Sequence, residues 1–517
     1  MENFPNISTL LEQRRETNPA KVFLLSEADG RSWTYSEFDT TVRRMANMLT
    51  SKGVGKGDVV SLLLQNSAEY IIAYFACFRA GAIAGPINSL LKPAEINWAI
   101  TNSEATLVLA ESGLAHAAFR NCPPNFPEIF ILDNADHAAT DFDGDSPLAD
   151  ISPCDEAILI HTSGTTGKPK GCLLTHGNLL ANSRQITEWL GFEKDDRLLT
   201  IMPLFHMNAV TVTTMTALYC GGSTVISKKF SASRFWNVIS SYEITSFGSV
   251  AAMLSMLLKM NQGPRINDVN ANGSGGLDLN SQPSSLKFAM CGSAPVPAEV
   301  LRNFEDTFGC LVVEGYGLSE STCRSTFNPP NTSRRPGSCG MPIGNEMNVF
   351  DENDNEVAAG ELGEIVLRGP NIFKGYFKDS AATQLAFTSG WFHTGDIGYR
   401  DIDGYYYIAD RKSDMIIRGG ENIYPREIDD LLYAHAAVAA AAVIGVPDDI
   451  YGDEVVAFVI LKDGAAATES DLIEHCRQYL ADYKCPKLVY FISDIPKGPT
   501  GKLLKRELAK LYFSETR

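Results

Sequence analysis

Apolar runs of strand character alternate with helical patterns along most of this chain, and that alternation limits the fold more than any other feature. Phe38, Val42, Met45, Ala46 and Leu49 recur at helical spacing, and Ser36 followed by Asp39 predicts the start of a capped helix. Residues 59–64 (Val-Val-Ser-Leu-Leu-Leu) predict a buried strand, 69–80 a helix, and 81–86 a short strand closing on a turn. The same reading gives strands at 157–160, 198–202, 224–227 and 286–291, with a helix from Asn178 onward. Such alternation predicts an α/β architecture of layered, parallel sheets flanked by helices.

Residues 261–285 are rich in Gly, Asn, Ser, Pro and Asp and predict a long surface loop. The character changes near residue 411. A strand pattern at 405–408 leads into Arg411-Lys412-Ser413-Asp414, then a glycine pair, a helix at 425–434, strands at 440–444 and 455–461, and a helix from Ser470. This predicts a large N-terminal region, 1–412, and a small α+β domain, 413–517. The length of 517 residues suits two or three units, and no repeat of 20–50 residues is evident.

Composition excludes several classes. Apolar residues make up 44% and charged residues 21%, which is globular rather than disordered. Asp and Glu outnumber Lys and Arg by 62 to 44, for a net charge of −18, which argues against a nucleic-acid binder but not against a small anionic ligand. The 11 scattered cysteines show no CxxC pair and no zinc pattern, and predict reduced thiols. The N-terminus lacks the basic and apolar regions of a signal peptide. The best apolar run, 244–258, falls short of the ~18 residues of a membrane span. A cytoplasmic protein without a membrane span is expected; oligomeric state is not legible.

The sharpest local signal is Thr162-Ser163-Gly164-Thr165-Thr166-Gly167-Lys168-Pro169-Lys170-Gly171, between a predicted strand and a predicted helix. Glycines let backbone N–H groups close on an anion. Four hydroxyls offer donors to phosphate oxygens, Thr166 can also touch a metal, and Lys168 and Lys170 add charge. The spacing is not GxxxxGK[ST]. The alternative, a hydroxyl-rich surface loop, fits this density after a buried strand less well than a polyphosphate site.

This segment resembles the phosphate-loop signature of the adenylate-forming superfamily, which includes acyl-CoA synthetases, peptide-synthetase adenylation domains and luciferases. Further matches follow in order. Gly292-Ser293-Ala294-Pro295 resembles the turn that packs on adenine. Glu314-Gly315-Tyr316-Gly317-Leu318-Ser319-Glu320 resembles the YGxTE element. Trp391-Phe392-His393-Thr394-Gly395-Asp396 resembles the GW(F/L)xTGD element. Asp410-Arg411-Lys412-Ser413-Asp414 resembles the hinge, and Pro499-Thr500-Gly501-Lys502 the PTGK element. The matches span residues 162 to 502.

The resemblance implies two half-reactions at one site. A carboxylate attacks the α-phosphorus of ATP, giving acyl-adenylate and diphosphate, and a thiol then displaces AMP. The first step brings two anions together, so the site must supply positive charge and oriented dipoles. By resemblance, Glu320 with Thr166 holds Mg²⁺, which takes one or two carboxylates and keeps several waters. Tyr316 stacks on adenine, with Gly315 and Gly317 allowing close approach. Asp396 accepts from the ribose hydroxyls, and Arg411 reaches the ribose or α-phosphate. Lys502 swings in to hold the α-phosphate and the attacking carboxylate. His206 flanks the acyl site and shifts between half-reactions. Gly419, Gly420 and Glu421 line the path of the CoA arm, where a plain turn is the alternative. The hinge position, usually Asp or Lys, is Ser413 here, a small residue that still permits rotation.

Phe205, His206, Met207, Val250, Gly315 and Cys323 are the candidate acyl-pocket walls. Their apolar or small character points to a short-to-medium aliphatic, branched or ring-bearing acid. Arg324 either holds a second carboxylate of a diacid or faces solvent or a neighbouring carboxylate. The segment 229–236 resembles fatty-acid and carnitine-type CoA ligases. The leading expectation is an ATP-dependent acid–CoA ligase. The alternatives are a stand-alone adenylating enzyme that loads a carrier protein, and a non-catalytic nucleotide-binding relative.

Overall fold

A computed structural model of the chain describes residues 4–120, 122, 125–138, 140–142, 149–162, 169–262, 285–292, 298–448, 450–497 and 503–515. Two seven-stranded sheets dominate the large unit. One runs in the order Leu311–Glu314, Phe288–Cys291, Ser246–Ser249, Arg197–Thr200, Ser223–Ile226, Val22–Ser26 and Ser32–Thr34, parallel except at the last pair. The other runs Gly375–Tyr376, Lys170–Thr175, Glu156–Thr162, Ile83–Pro86, Val59–Leu63, Leu107–Ala110 and Glu128–Ile131, and its first two pairs are antiparallel. The α/β expectation holds, with antiparallel edges that the alternation did not signal. A third, wholly antiparallel sheet joins Glu346–Phe350, Gly363–Arg368, Trp391–Arg400, Phe387–Thr388 and Tyr406–Arg411.

Local chemistry explains the central elements. Helix Ala68–Ala80 is apolar nearly all round and is buried on all sides, as a helix between layers must be. Ser67 caps its start, and Gly81, at φ +72°, ends it. The amphipathic helix is Tyr35–Ser51, but Ser36 is not its cap. Thr34 and Glu37 form the capping box. Asp39 is 1% exposed and its carboxylate is occupied by Arg15 and Arg43. The apolar run at 244–258 resolves into strand Ser246–Ser249 and helix Ala251–Gln262. Most of the polar stretch after it lies outside the described residues.

The smaller unit has one sheet, ordered Glu421–Ile423, Ile416–Arg418, Gly452–Leu461 and Val438–Asp448, with Leu488–Phe491 parallel to Gly452–Leu461. Helices Pro425–Ala434, Glu469–Arg477 and Lys505–Glu515 accompany it. The buried apolar clusters divide cleanly: those of the large unit end at Tyr406 and those of the small unit begin at Ile416. Polar contacts cross the gap. Asp410 Oδ2 accepts from the Arg426 N–H at 2.9 Å, in the first turn of helix Pro425–Ala434, and the Arg426 guanidinium donates to the Ile408 carbonyl.

Candidate active site

Parallel strands of the two large sheets end against each other. Asn66, just after strand Val59–Leu63, donates to the Met202 carbonyl at 2.8 Å and accepts from the Leu204 N–H at 2.8 Å. Tyr74 donates to the Leu204 carbonyl at 2.7 Å. These bonds fix the segment carrying Phe205, His206 and Met207. Ligands of open α/β sheets bind at such strand ends.

The chain after strand Leu311–Glu314 folds back on itself. Gly315 N–H donates to the Cys291 carbonyl at 2.9 Å, Tyr316 N–H to Thr326 Oγ1 at 3.1 Å, and Ser325 N–H to the Tyr316 carbonyl at 2.8 Å. A Cβ at Gly315 would lie 2.5 Å from the Phe327 ring and 2.6 Å from the Thr326 carbonyl. One at Gly317 would collide with the Cys323 carbonyl. The protein's own return strand therefore requires both glycines on packing grounds alone. Glu314 is buried, and burial pushes its carboxyl up to about 7 although the Gly337 N–H donates to it at 3.1 Å. Leu318 N–H donates to Ser321 Oγ at 3.0 Å, closing the turn that contains Ser319 and Glu320.

This fold-back sets Tyr316 against Asp396. The Tyr316 hydroxyl donates to Asp396 Oδ2 at 2.6 Å, and Arg411 Nε lies 3.1 Å from Asp396 Oδ1. The third sheet supplies the second contact directly, because Asp396 and Arg411 are register partners on neighbouring antiparallel strands. Thr394 Oγ1 accepts from the Asp396 N–H at 3.0 Å, which fixes the turn. The result is a buried carboxylate with one phenol and one guanidinium, a fit for paired hydroxyl donors.

Glu320 is half-buried beside this group. Burial raises its carboxyl, while Tyr376 and Arg411 pull it back. The Tyr376 hydroxyl donates to Glu320 Oε1 at 3.1 Å, and the Lys170 ammonium sits 4.9 Å over the Tyr376 ring. Sequence reasoning missed Tyr376. Its place depends on strand Gly375–Tyr376 pairing with Lys170–Thr175, some two hundred residues earlier, and only the short Gly-Tyr pair hinted at it. A single half-buried carboxylate near a lysine and an arginine suits Mg²⁺ carried by phosphates, because Mg²⁺ takes few protein ligands. Among the described residues no cluster of three or more His, Cys, Asp or Glu side chains forms a metal cage.

Thr162 and Lys170 are register partners at the base of the hydroxyl-rich loop. Ser163, Gly164, Thr165, Thr166, Gly167 and Lys168 lie outside the described residues, as do Ser293, Ala294 and Lys502. Gly292 is buried where strand Phe288–Cys291 ends. His206 packs on Phe205 with ring centroids 4.7 Å apart, and burial lowers its pKa to about 4, so the ring is neutral at neutral pH. Met207, Val250 and Cys323 are buried. Gly419 and Gly420, at φ +61° and +88°, form the two-residue turn between strands Ile416–Arg418 and Glu421–Ile423. Turn geometry alone calls for glycine there, and the tip with Glu421 is exposed. Ser413 is exposed between the two units.

Comparison with known proteins defines the class. A model of AMP-binding enzyme matches residues 11–377, and a model of the AMP-binding enzyme C-terminal domain matches 427–502. Sulfoacetate–CoA ligase of Cupriavidus necator is 35% identical over 98% of this chain and 98% of its own length. Feruloyl-CoA synthase of an Amycolatopsis species is 35% identical over 93% of this chain and 94% of its own. Among solved structures, ATP-bound MatB from Rhodopseudomonas palustris superposes with a TM-score of 0.89 at 30% identity, covering 99% of this chain and 100% of that one. O-succinylbenzoate coenzyme A synthetase from Bacillus subtilis, in complex with ATP and magnesium ion, gives 0.85 at 30% identity, covering 98% and 99%. The chain belongs to the AMP-binding enzyme family, the adenylate-forming superfamily. It is an AMP-forming acid–CoA ligase that works through an acyl-adenylate, with ATP and CoA as co-substrates and Mg²⁺ as the metal carried with ATP. No helix among the described residues is long and apolar enough to cross a membrane.

Proposed function

We propose that the residues above divide the ligase reaction as follows. Asp396 and Tyr316 hold the nucleoside, with Gly292, Ser293 and Ala294 beside the base. Residues 162–168, Lys170 and Arg411 hold the phosphates. Glu320 and Thr166 hold Mg²⁺, which screens phosphate charge. Lys502 holds the attacking carboxylate against the α-phosphorus. His206 flanks the acyl group without taking a proton, since a carboxylate is already a nucleophile. The hairpin tip at Gly419, Gly420 and Glu421 guides the CoA arm after rotation about Ser413. Domains of 1–412 and 413–517 fit the division of the apolar cores. The observation that carries this reading is the convergence of Tyr316, Asp396, Arg411, Glu320, Tyr376 and Lys170, from five separate stretches of chain, on one place.

Relatives whose names specify sulfoacetate, oxalate, ferulate, 2-succinylbenzoate and long-chain fatty acids are all about equally similar to the chain, so kinship does not select the acid. Phe205, Met207, Phe247, Val250 and Met253 are buried and apolar, and suit a short-to-medium, branched or ring-bearing carbon skeleton. Eleven cysteines, all free, suit a reducing compartment such as the cytoplasm. The test is AMP and diphosphate release with MgATP across a panel of acids, with and without CoA, the products identified by mass. CoA-dependent AMP with an acyl-CoA product is expected. An acyl-adenylate that ignores CoA would overturn CoA as the acceptor.

A further inference from the structure

Arg324 has a largely buried guanidinium with no carboxylate partner among the described residues. The residue is 2% exposed, its Nε and Nη2 are buried without hydrogen-bond partners, and no ion pair joins it to a carboxylate among the described residues. The Phe327 ring lies 5.4 Å from its guanidinium carbon. The titratable groups that feel its charge include the thiols of Cys291 and Cys323, both kept protonated by burial. Burying a charge without a counter-ion is strongly unfavourable.

The surrounding chain is built to hold it there. Thr322 and Cys323 take φ +66° and +152°, a conformation that L-residues rarely adopt. The strained stretch is clamped from three directions. Thr211 Oγ1 donates to the Thr322 carbonyl at 3.0 Å, Thr322 Oγ1 donates to the Asn371 carbonyl at 2.6 Å, and Asn182 bonds both backbone groups of Arg324 at 3.1 and 2.6 Å. Thr211 belongs to the π-helix Asn208–Met215, a geometry found mostly at functional sites.

The guanidinium fills space that a glycine leaves at a strand end. A Cβ on Gly292 would lie 2.7 Å from Arg324 Nη2, and a Cβ on Gly248 would lie 2.6 Å from Asn208 Oδ1. Gly248 is the register partner of Met290, and Gly292 follows Met290 by two residues, so both glycines open the same face of the sheet. Both amide atoms of Asn208 are also buried without partners among the described residues, as is Nε2 of His206 on the segment that precedes it. On this face the Arg324 guanidinium and the Asn208 amide thus have polar atoms without partners among the described residues.

We propose that the acid activated here carries a second anionic group, a carboxylate or sulfonate, bound by the Arg324 guanidinium with Asn208 beside it. The inference rests on the reading of this face as the acyl site. A guanidinium fork pairs bidentately with either group, and the counter-ion then arrives with the substrate. The reacting carboxylate stays free to attack the α-phosphorus, so the second anion selects and orients without entering the bond exchange.

The experiment compares matched acids: succinate and glutarate against butyrate and valerate, with 3-sulfopropionate to separate sulfonate from carboxylate. Each is assayed for MgATP-dependent diphosphate release and for CoA thioester. Dianions should exceed their monoanionic partners in kcat/KM by about 100-fold or more. Arg324→Met should collapse that ratio at least tenfold, Arg324→Lys should restore part of it, and stabilisation of both variants by MgATP should match the parent enzyme. Monoanions used as well as dianions by the parent enzyme would overturn the proposal and leave the ligase standing. An equal loss for both classes in Arg324→Met would overturn it too. Dianion-selective adenylate formation that ignores CoA would support Arg324 and overturn CoA as acceptor. If every acid is silent in turnover, calorimetric titration of succinate and butyrate into the enzyme with AMP decides, since selective succinate binding supports the proposal and equal or no binding overturns it. The parent-enzyme comparison needs no variant, so a misfolded Arg324→Met cannot obscure it.

Discussion

Replacing Asp396 by Asn tests whether its buried carboxylate holds the nucleotide or only the fold. The change keeps shape and removes charge. In the native arrangement Oδ2 accepts from Tyr316 at 2.6 Å and Oδ1 faces Arg411 Nε at 3.1 Å. An Asn amide can turn its oxygen to Arg411 and its NH₂ to the Tyr316 oxygen, so both contacts survive as weaker ones. Losing charge assistance costs about 1–2 kcal/mol. Arg411 keeps a side chain 34% exposed, so water screens part of its lost counter-charge and little is added. Nucleotide binding should suffer more. Two ribose hydroxyls that donate to a carboxylate would face an amide whose NH₂ cannot accept, a loss of about 1.5–3 kcal/mol, or roughly a 10- to 150-fold rise in the KM for ATP. The assay is ATP–diphosphate exchange over a range of ATP, beside denaturant unfolding. Tyr316→Phe removes one donor but keeps the carboxylate, and should destabilise comparably while raising the ATP KM less. An Asp396→Asn enzyme that loses stability yet keeps its ATP KM within threefold of the parent would refute the reasoning and leave the carboxylate a purely structural partner of Arg411.

Other outcomes follow from single features. Lys502→Ala should lower adenylation by about 10²–10³-fold and thioester formation from preformed acyl-adenylate much less, read by single-turnover assays. Ser413→Pro should spare adenylation and impair thioester formation, and equal loss of both would show that rotation at this residue is not the constraint. Gly317→Ala should cost about 2–3 kcal/mol or abolish folding, measured by chemical unfolding, because its Cβ meets the Cys323 backbone rather than a movable side chain. Burial pushes the Asp429 carboxyl from 3.8 up to about 7, so from about pH 4 to 7 the native state holds a proton that the unfolded chain has released. Stability from this group therefore falls as pH rises through that window. Asp429→Asn should flatten that fall, seen as a parent-minus-variant difference in unfolding free energy that shrinks toward low pH.

Much of the fold was legible because strands and helices announce themselves locally. Helix Pro425–Ala434 lies where its proline start and apolar spacing put it, and strand Val59–Leu63 is a plain β-branched and leucine run. The third sheet was not foreseen, since its antiparallel pairs join segments whose polar and apolar residues mix without a clean period. The helix cap was misplaced by two residues because Ser36 and Asp39 are the right residue types, while Asp39 is spent on Arg43 one helical turn on and on Arg15, a contact across 24 residues that no local pattern encodes. The candidate site divides the same way. Glu320, Asp396 and Arg411 stand in dense motifs and were named from sequence, yet Tyr376 depends on pairing with a strand some two hundred residues earlier, and the packing need for Gly315 and Gly317 on the fold-back of residues 323–327. Arg324 shows the limit most sharply. From sequence it was an arginine after a cysteine, expected to face solvent or a neighbouring carboxylate sooner than a second carboxylate of the substrate. Only the clamp by Asn182, Thr211 and Asn371, joining residues 47 to 142 positions apart, turns it into a fixed internal cation and makes the charge of the substrate a structural question.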